Sequence, residues 1–515
     1  MSTSRSPFLK LALFATGLSG IVAEYILSTL ASYFIGDSAV QWSLIVSVML
    51  FSMGLGSRIS KYLDGNLLVK FIGVEFALSI LVSFSSLVAY TAAGLTDYVG
   101  LIIYGMSILI GLLIGLEIPL VIRLNEEFES LKVNVASVME KDYLGSLVGG
   151  LFFAFIGLPI LGLTYTPFIL GFINLMVALG LFITVRRDLA AKMNARISIA
   201  SGIILLLIFG GIMKAEPIIL FGEQARYKDK VVLSKQSKYQ KIVLTQWKDH
   251  YWLYLNGNQQ LSTLDEDKYH EALVHPAVQL ADQVKDVLVL GGGDGCAARE
   301  LLKYPSIEQI TVVDLDSMMT GLASRHPILT ELNKHAFSHE KVQVLNTDAF
   351  NYMEREKQLY DLIIVDLPDP RSVELNRMYT SEFYRLCQLK LRPHGVLITQ
   401  AGSPYFATKA FRCIDTTMAS AGFETLPLHN HVLTLGEWGW VLGMKENWTK
   451  GNLKTKARQL SFKDVETKWL NQEAMLMMSS FGKDIYFKVQ DSIEVNHIQD
   501  PVLYRYYLKG NWDLY

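Results

Sequence analysis

Cysteine is nearly absent from this chain of 515 residues, with only Cys296, Cys387 and Cys413 present. They form no even framework and no Cys-x-x-Cys pair, so neither a disulfide scaffold nor a thiolate zinc site is expected. His275-Pro276, His429 and His431 stand in no metal-ligand spacing with a cysteine, and they are read as structural, with no metal. Charge is scarce too, at 19% of residues and a net −2. With no basic run and no low-complexity segment, nucleic acid is not expected as a partner.

Apolar residues are in excess, 51% of the chain, and they concentrate before Lys214. The runs Phe8–Ile35, Trp42–Ser57, Val69–Ala92, Tyr98–Ile122, Tyr143–Leu163, Thr166–Val185 and Ile197–Met213 mostly approach the roughly twenty residues that cross a bilayer. Residues 1–213 therefore read as a multi-pass α-helical membrane domain of about seven helices, in the cell (inner) membrane. The first run is not a cleaved signal, because further runs follow it.

Arg5 and Lys10, then Arg58, Lys61 and Lys70, then Arg123, Lys132 and Lys141, then Arg186, Arg187, Lys192 and Arg196 fall in alternate loops. The loops around Asp37 and Asp97 lack such residues, which places the N-terminus in the cytoplasm. Seven crossings would put the remainder outside, unless Trp42–Ser57 or Ile197–Met213 does not cross. The side is left open. Glu24 and Glu117 interrupt apolar runs, where they either hold a cation or pair with polar neighbours. Gly54, Gly56, Gly145, Gly149 and Gly150 suit close helix packing.

Residues 214–282 read as a linker, Lys214–Ser237, and a small β-domain in which Tyr239–Leu261 alternates around an Asn256-Gly257 hairpin turn. From 283 to 446, strands near 286–290, 309–314, 342–346, 361–366, 395–400, 425–432 and 438–444 alternate with helical stretches. This is a seven-stranded, Rossmann-like α/β sheet of the AdoMet methyltransferase type. The extension 447–515, aromatic from Tyr504 to Tyr507 and at Trp512 and Tyr515, carries no assigned role.

The chemistry concentrates in three strand ends. Gly291, Gly293 and Gly295 leave the first turn without side chains, so backbone can approach a ligand closely. Asp314, at the end of the next strand, is placed to bond the hydroxyls of a ribose. Asp294 within the loop would repel a pyrophosphate and welcome a sulfonium or an amine. A later strand ends in Asp366-Leu-Pro-Asp-Pro370. Each residue also has a plainer reading: Asp366 and Asp369 as turn formers, Asp348 as a helix N-cap, and Tyr269 and His270 as packing groups. Cys296 abuts the loop, where small-residue packing at a helix start accounts for it.

Lys238-Tyr-Gln-Lys241, Asp265-Glu-Asp-Lys-Tyr-His-Glu271, Gly291-Gly-Gly-Asp-Gly295, Asp314, Asp348 and Asp366-Leu-Pro-Asp-Pro370 occur in that order. Through them the stretch from about Tyr227 to Lys445 resembles the polyamine aminopropyltransferases, the spermidine synthase family, of a bacterial type fused to a membrane segment. The resemblance implies transfer of an aminopropyl group from decarboxylated S-adenosylmethionine, a co-substrate with no further cofactor, to putrescine or a related polyamine. Spermidine and 5′-methylthioadenosine would result. By matching position, Gln240, Asp314, Asp348, Ala349, Gly291 and Gly293 would hold the nucleoside. His270, Asp294 and Asp369 would contact amines, and Asp366 would accept a proton with Tyr269 beside it. The chain departs from the family pattern at Leu367-Pro368 and across Arg371–Arg377.

A diamine with a pKa of about 10 must lose a proton before it can displace a sulfonium leaving group. An ordinary Asp is a weak base, so burial or a neighbouring carboxylate must raise its pKa. Asp294 would also turn away intact AdoMet, whose carboxylate would face it. Two other functions fit the same residues: a polyamine transporter or sensor with a ligand-binding Rossmann domain, and an AdoMet-dependent methyltransferase. The bilayer is the expected surroundings, and a homo-oligomer is allowed.

Overall fold

A computed structural model describes residues 5–36, 38–126, 130–187, 189–445, 452–482 and 492–511. Asp37, the 446/447 boundary and the Trp512–Tyr515 end lie outside these residues. The chain divides into two units, residues 1–247 with 255–257, and residues 248–254 with 258–515.

The first unit is a helical bundle: α1 (Arg5–Ile35), α2 (Ser38–Ser60), α3 (Leu67–Ser83), α4 (Ser85–Leu95), α5 (Val99–Asn125), α6 (Leu131–Phe152), α7 (Gly162–Val185) and α8 (Ala191–Gln224). In α1, 72% of the apolar window is buried, against 28% in α2 and α8, so α1 is the core and those two are flanks. Close packing rests on small residues where backbones meet. A Cβ on Gly56 would stand 2.1 Å from the Leu112 carbonyl oxygen, and one on Gly145 2.0 Å from that of Phe14. Gly54 has open space around it, so it takes no part in such a contact.

Five helical stretches are long and apolar enough to cross a membrane, or six if α3 and α4, bent by 49°, make one crossing. Val69–Ala92 is therefore no single straight helix: it breaks between Ser83 and Ser85. The stretch Leu131–Val185 is 55 residues long, which at about 1.5 Å per residue is more than twice a hydrocarbon core. It contains a π-helical segment, Phe153–Leu161, and then Gly162 at φ +65°, ψ −175°, which is no helical conformation. The runs Trp42–Ser57 and Ile197–Met213 belong to longer helices, α2 with 23 residues and α8 with 34.

The linker expected to start at Lys214 needs correction. Helix α8 continues to Gln224, because Ala215, Ile219 and Gly222 keep its buried face going through Pro217. Glu223 at its end is buried, ion-paired with Lys241 at 3.0 Å and accepting from Tyr33 Oη at 2.6 Å. Strands β1 (Lys230–Gln236) and β2 (Lys241–Trp247) follow as an antiparallel pair.

Strands β3 (His250–Leu255) and β4 (Asn258–Ser262) flank Asn256 and Gly257, both at positive φ, as a two-residue hairpin turn requires. Helix α9 (Glu266–Leu280) leads into a seven-stranded sheet: β5 (Asp286–Gly291), β6 (Gln309–Asp314), β7 (Val342–Asn346), β8 (Tyr360–Asp366), β9 (Leu391–Gly402), β10 (Phe423–Val432) and β11 (Gly436–Lys445). Its order is β10-β11-β9-β8-β5-β6-β7, with β11 antiparallel to both of its neighbours. Val287 to Leu290 are fully buried, the two-sided burial that a central parallel strand imposes. Because β5 lies between β6 and β8, the order reverses there, and a crevice opens at the strands' carboxyl ends.

Candidate active site

Three strand ends meet at that crevice. Gly291 pairs with Asp366 in the parallel register, and the Gly292 N–H donates to the Asp366 carbonyl at 3.0 Å. A Cβ on Gly291 would lie 2.1 Å from that carbonyl oxygen, and one on Gly293 2.5 Å from Asp314 Oδ2. The glycines are thus required by the two acids they pass. Helix α10 (Cys296–Leu301) begins after the loop, and Asp294 Oδ1 accepts from the Cys296 N–H at 2.7 Å. Buried Cys296 is a packing residue whose thiol burial pushes well up, away from thiolate chemistry.

Helix α9 supplies the other wall. Tyr269 Oη donates to Asp366 Oδ1 at 2.8 Å, and its ring centroid stands 5.3 Å from that of Trp440. One residue on, His270 Nδ1 lies 2.7 Å from Glu266 Oε2, while its Nε2 is 3.9 Å from Asp294 Oδ1. Glu266 also receives both terminal nitrogens of Arg299, at 2.7 and 2.9 Å. Burial opposes charge on His270, yet the hydrogen bond and charge of Glu266, with Asp294 and Asp366 beyond, hold its pKa up at about 9. Burial likewise works against the Glu266 anion, but His270 and Arg299 hold it down at about 2. His270 is therefore an imidazolium near neutral pH.

Burial, reinforced by the Asp294 charge, pushes Asp366 up to about 6, against the opposing pull of His270 and the Tyr269 hydroxyl. A carboxyl with that pKa can take up a proton without being a strong acid. Burial also raises Asp314 to about 6, against the Asp316 N–H that donates to its Oδ1 at 2.8 Å. His270, Asp294 and Asp366 offer ligand atoms within 4.8 Å of one another.

The Asp366–Pro370 turn is held from behind by two residues that the sequence pattern did not reveal. Gln400 Nε2 donates to the Leu367 carbonyl at 2.8 Å and to Tyr379 Oη at 2.6 Å, and Tyr379 Oη donates to the Pro368 carbonyl at 3.1 Å. Asp369, buried in that turn, accepts from Tyr507 Oη at 2.5 Å. Position could have exposed Gln400, which stands at the working end of the strand next to β8.

Other expected residues divide. Asp348 is an N-cap, accepting from the Asn351 N–H at 2.9 Å, and it also pairs with Arg377. Ala349 follows as the first residue of that helix. Gln240 lies in the first unit, where its N–H donates to Ser237 Oγ at 3.0 Å. Glu271, from the same motif as Tyr269, is structural, because its carboxylate accepts from the N–H groups of Lys468, Trp469 and Leu470 at 2.6 to 3.0 Å.

Residues 266–455 match the model of the spermine/spermidine synthase domain. The chain is 42% identical to polyamine aminopropyltransferase 2 of Aquifex aeolicus, covering 98% of this chain and 99% of that protein. It is 39% identical to the polyamine aminopropyltransferase of Leptospira interrogans, covering 95% of each. A solved spermidine synthase in complex with the transition-state analogue AdoDATO is also similar, at 25% identity and a TM-score of 0.45, covering 50% of this chain and 88% of that one.

Proposed function

Because the chain belongs to the polyamine aminopropyltransferase family, we propose that it transfers an aminopropyl group from decarboxylated S-adenosylmethionine to putrescine, with Asp366 as proton acceptor. The observation that carries this is the half-buried Tyr269–Asp366 contact at 2.8 Å beside the glycine loop. The nucleoside lies along Gly291 and Gly293 with its ribose on Asp314. The acceptor amine sits among Asp366, Asp294 and Asp369.

Binding in that pocket does the first part of the work. A primary amine with a pKa of about 10 arrives protonated, and a carboxyl near 6 cannot strip it outright in water. Held in line with the sulfonium-bound carbon, the ammonium first gives one proton to Asp366, and the lone pair so freed then forms the C–N bond as the C–S bond breaks. Methylthioadenosine leaves as a neutral thioether. Tyr269 keeps the accepting oxygen turned toward the amine, and orientation supplies much of the acceleration. Asp294 binds the ammonium of the transferred group and disfavours the carboxylate of intact AdoMet. His270, held as a cation by Glu266, keeps Asp294 and Asp366 from accumulating uncompensated charge.

Helices α1 to α8 form the membrane part in this reading, seven crossings with α3 and α4 together as one. Five to six apolar stretches of sufficient length, and the non-helical Gly162 inside the longest, support it. Protease accessibility in right-side-out and inverted vesicles assigns the side of the catalytic unit.

Mass spectrometry of products from the detergent-purified full chain tests the reaction. Decarboxylated AdoMet with a diamine panel should give methylthioadenosine and an aminopropylated amine, largest with putrescine. Methylated product from intact AdoMet would instead establish the methyltransferase. A second reading, transport or sensing of polyamine, is favoured by Glu75 and Glu117: both are fully buried, and none of their carboxylate oxygens has a hydrogen-bond partner among the described residues. Vesicle flux of labelled polyamine that persists in Asp366→Asn would support it.

A further inference from the structure

The matched domain ends at residue 455, yet a tyrosine more than fifty positions later reaches the candidate amine site. Tyr507 lies on the helix Val502–Leu508, 4% exposed. Its hydroxyl donates to Asp369 Oδ2 at 2.5 Å and accepts from Arg371 Nε at 3.0 Å. Arg371 Nη2 stands 3.6 Å from the same carboxylate oxygen, and its Nη1 bonds Asn258. Asp369 Oδ1, the other oxygen, is buried without a hydrogen-bond partner among the described residues.

The segment is bolted in place by fully buried Asn496. Its side chain donates to the Tyr379 carbonyl at 3.0 Å and accepts from the Leu503 N–H at 3.2 Å, while Asn376 Oδ1 accepts from the Tyr504 N–H at 3.1 Å. Tyr379 in turn bonds the Leu367 and Pro368 carbonyls. The C-terminal segment thus holds both the backbone of the acidic turn and one of its carboxylates.

We propose that Tyr507, positioned with Arg371, is a specificity-determining residue that ties down Asp369 Oδ2 and turns Oδ1 toward a primary ammonium group of the acceptor amine. This rests on the reading of Asp369 as an amine ligand. A buried carboxylate unsupported by hydrogen bonds gives up its charge or its orientation. Without the hydroxyl, Asp369 grips an ammonium less well, while the nucleoside site on Gly293 and Asp314 is untouched.

The test is steady-state kinetics of the full chain in detergent, comparing Tyr507→Phe and Asp369→Asn with wild type, alongside methylthioadenosine binding. Loss of a charge-assisted hydrogen bond should raise the amine KM of Tyr507→Phe about tenfold, with kcat changed by less than about threefold and nucleoside affinity kept. Asp369→Asn should raise the amine KM further. A raised amine KM in Asp369→Asn with none in Tyr507→Phe would overturn the role of Tyr507 alone. An unmoved amine KM in both would remove the reading of Asp369 as well. A fall in kcat and nucleoside affinity together in Tyr507→Phe would show a merely structural tyrosine.

Discussion

Both units bury carboxyl groups, and they treat them differently. In the catalytic unit Glu266, Glu271 and Glu300 are each at most 3% exposed, and each is answered: Glu266 by Arg299 and His270, Glu271 by three backbone N–H groups, Glu300 by His275 and Lys303. In the helical unit Glu75 and Glu117 are equally buried, but none of their carboxylate oxygens has a hydrogen-bond partner among the described residues. A buried carboxylate fully paired is scaffolding, since its charge is already spent on the fold. One left unpaired must give up its charge or await a cation. Asp366 and Asp369 stand between these extremes, each with one oxygen hydrogen-bonded by a tyrosine. That state sets the two proposed working carboxyls apart from the fully paired ones.

The largest break in this comparison is Asp366→Asn. Removing the proposed proton acceptor should lower turnover about a thousandfold, while methylthioadenosine binding, measured by calorimetry, stays intact. Next is Arg299→Met, which leaves Glu266 buried without its guanidinium. Breaking such a pair should cost about 3–5 kcal/mol of stability, read in thermal unfolding of the detergent-solubilised protein. The same network sets a pH window. With His270 raised from 6.5 to about 9, its contribution is complete below 6.5 and lost as pH rises through 9. With Glu266 lowered from 4.5 to about 2, its contribution is present above 4.5 and lost as pH falls through 2. The melting temperature of wild type, less that of Arg299→Met, should therefore hold above pH 4.5 and shrink as pH falls toward 2, where Glu266 takes up a proton.

Tyr269→Phe comes third. The hydroxyl holds the Asp366 pKa down, so its loss should move the acid limb of turnover to higher pH and lower kcat about tenfold at neutral pH. The smallest effect is expected of Glu117→Gln. An amide in place of an unanswered carboxyl should leave transferase turnover unaltered and thermal stability equal or higher. A loss of turnover there would mean that the two units work together in the reaction.

Much of the catalytic unit was legible because parallel strands buried on both faces read as continuous apolar runs, as Val287–Leu290 does, and end in residues that need no packing partner. The glycines and Asp314 announced themselves by spacing. Asp348 was ambiguous in sequence because capping and nucleoside binding ask for the same residue, and the fold shows the cap and an added ion pair with Arg377. Glu75 escaped notice inside an apolar run, since one acid in a run hardly alters its hydropathy. Arg299, Gln400 and Tyr507 escaped because their roles depend on contacts 33 to 138 residues away in the chain. The α8 boundary was misplaced because Lys214, Glu216 and Pro217 look like a linker, while only packing reveals that Ala215 and Ile219 continue a buried face.

The central proposal is that Asp366, with one oxygen held by Tyr269, takes the proton. Its direct test is the single-turnover rate against pH at saturating nucleoside and amine, in wild type and in Asp366→Asn. Saturation removes the titration of Asp314 from the profile. An acid limb near pH 6 in wild type, absent from the residual rate of the variant, is the expected result. The same limb persisting in Asp366→Asn would contradict it and place the proton acceptor elsewhere.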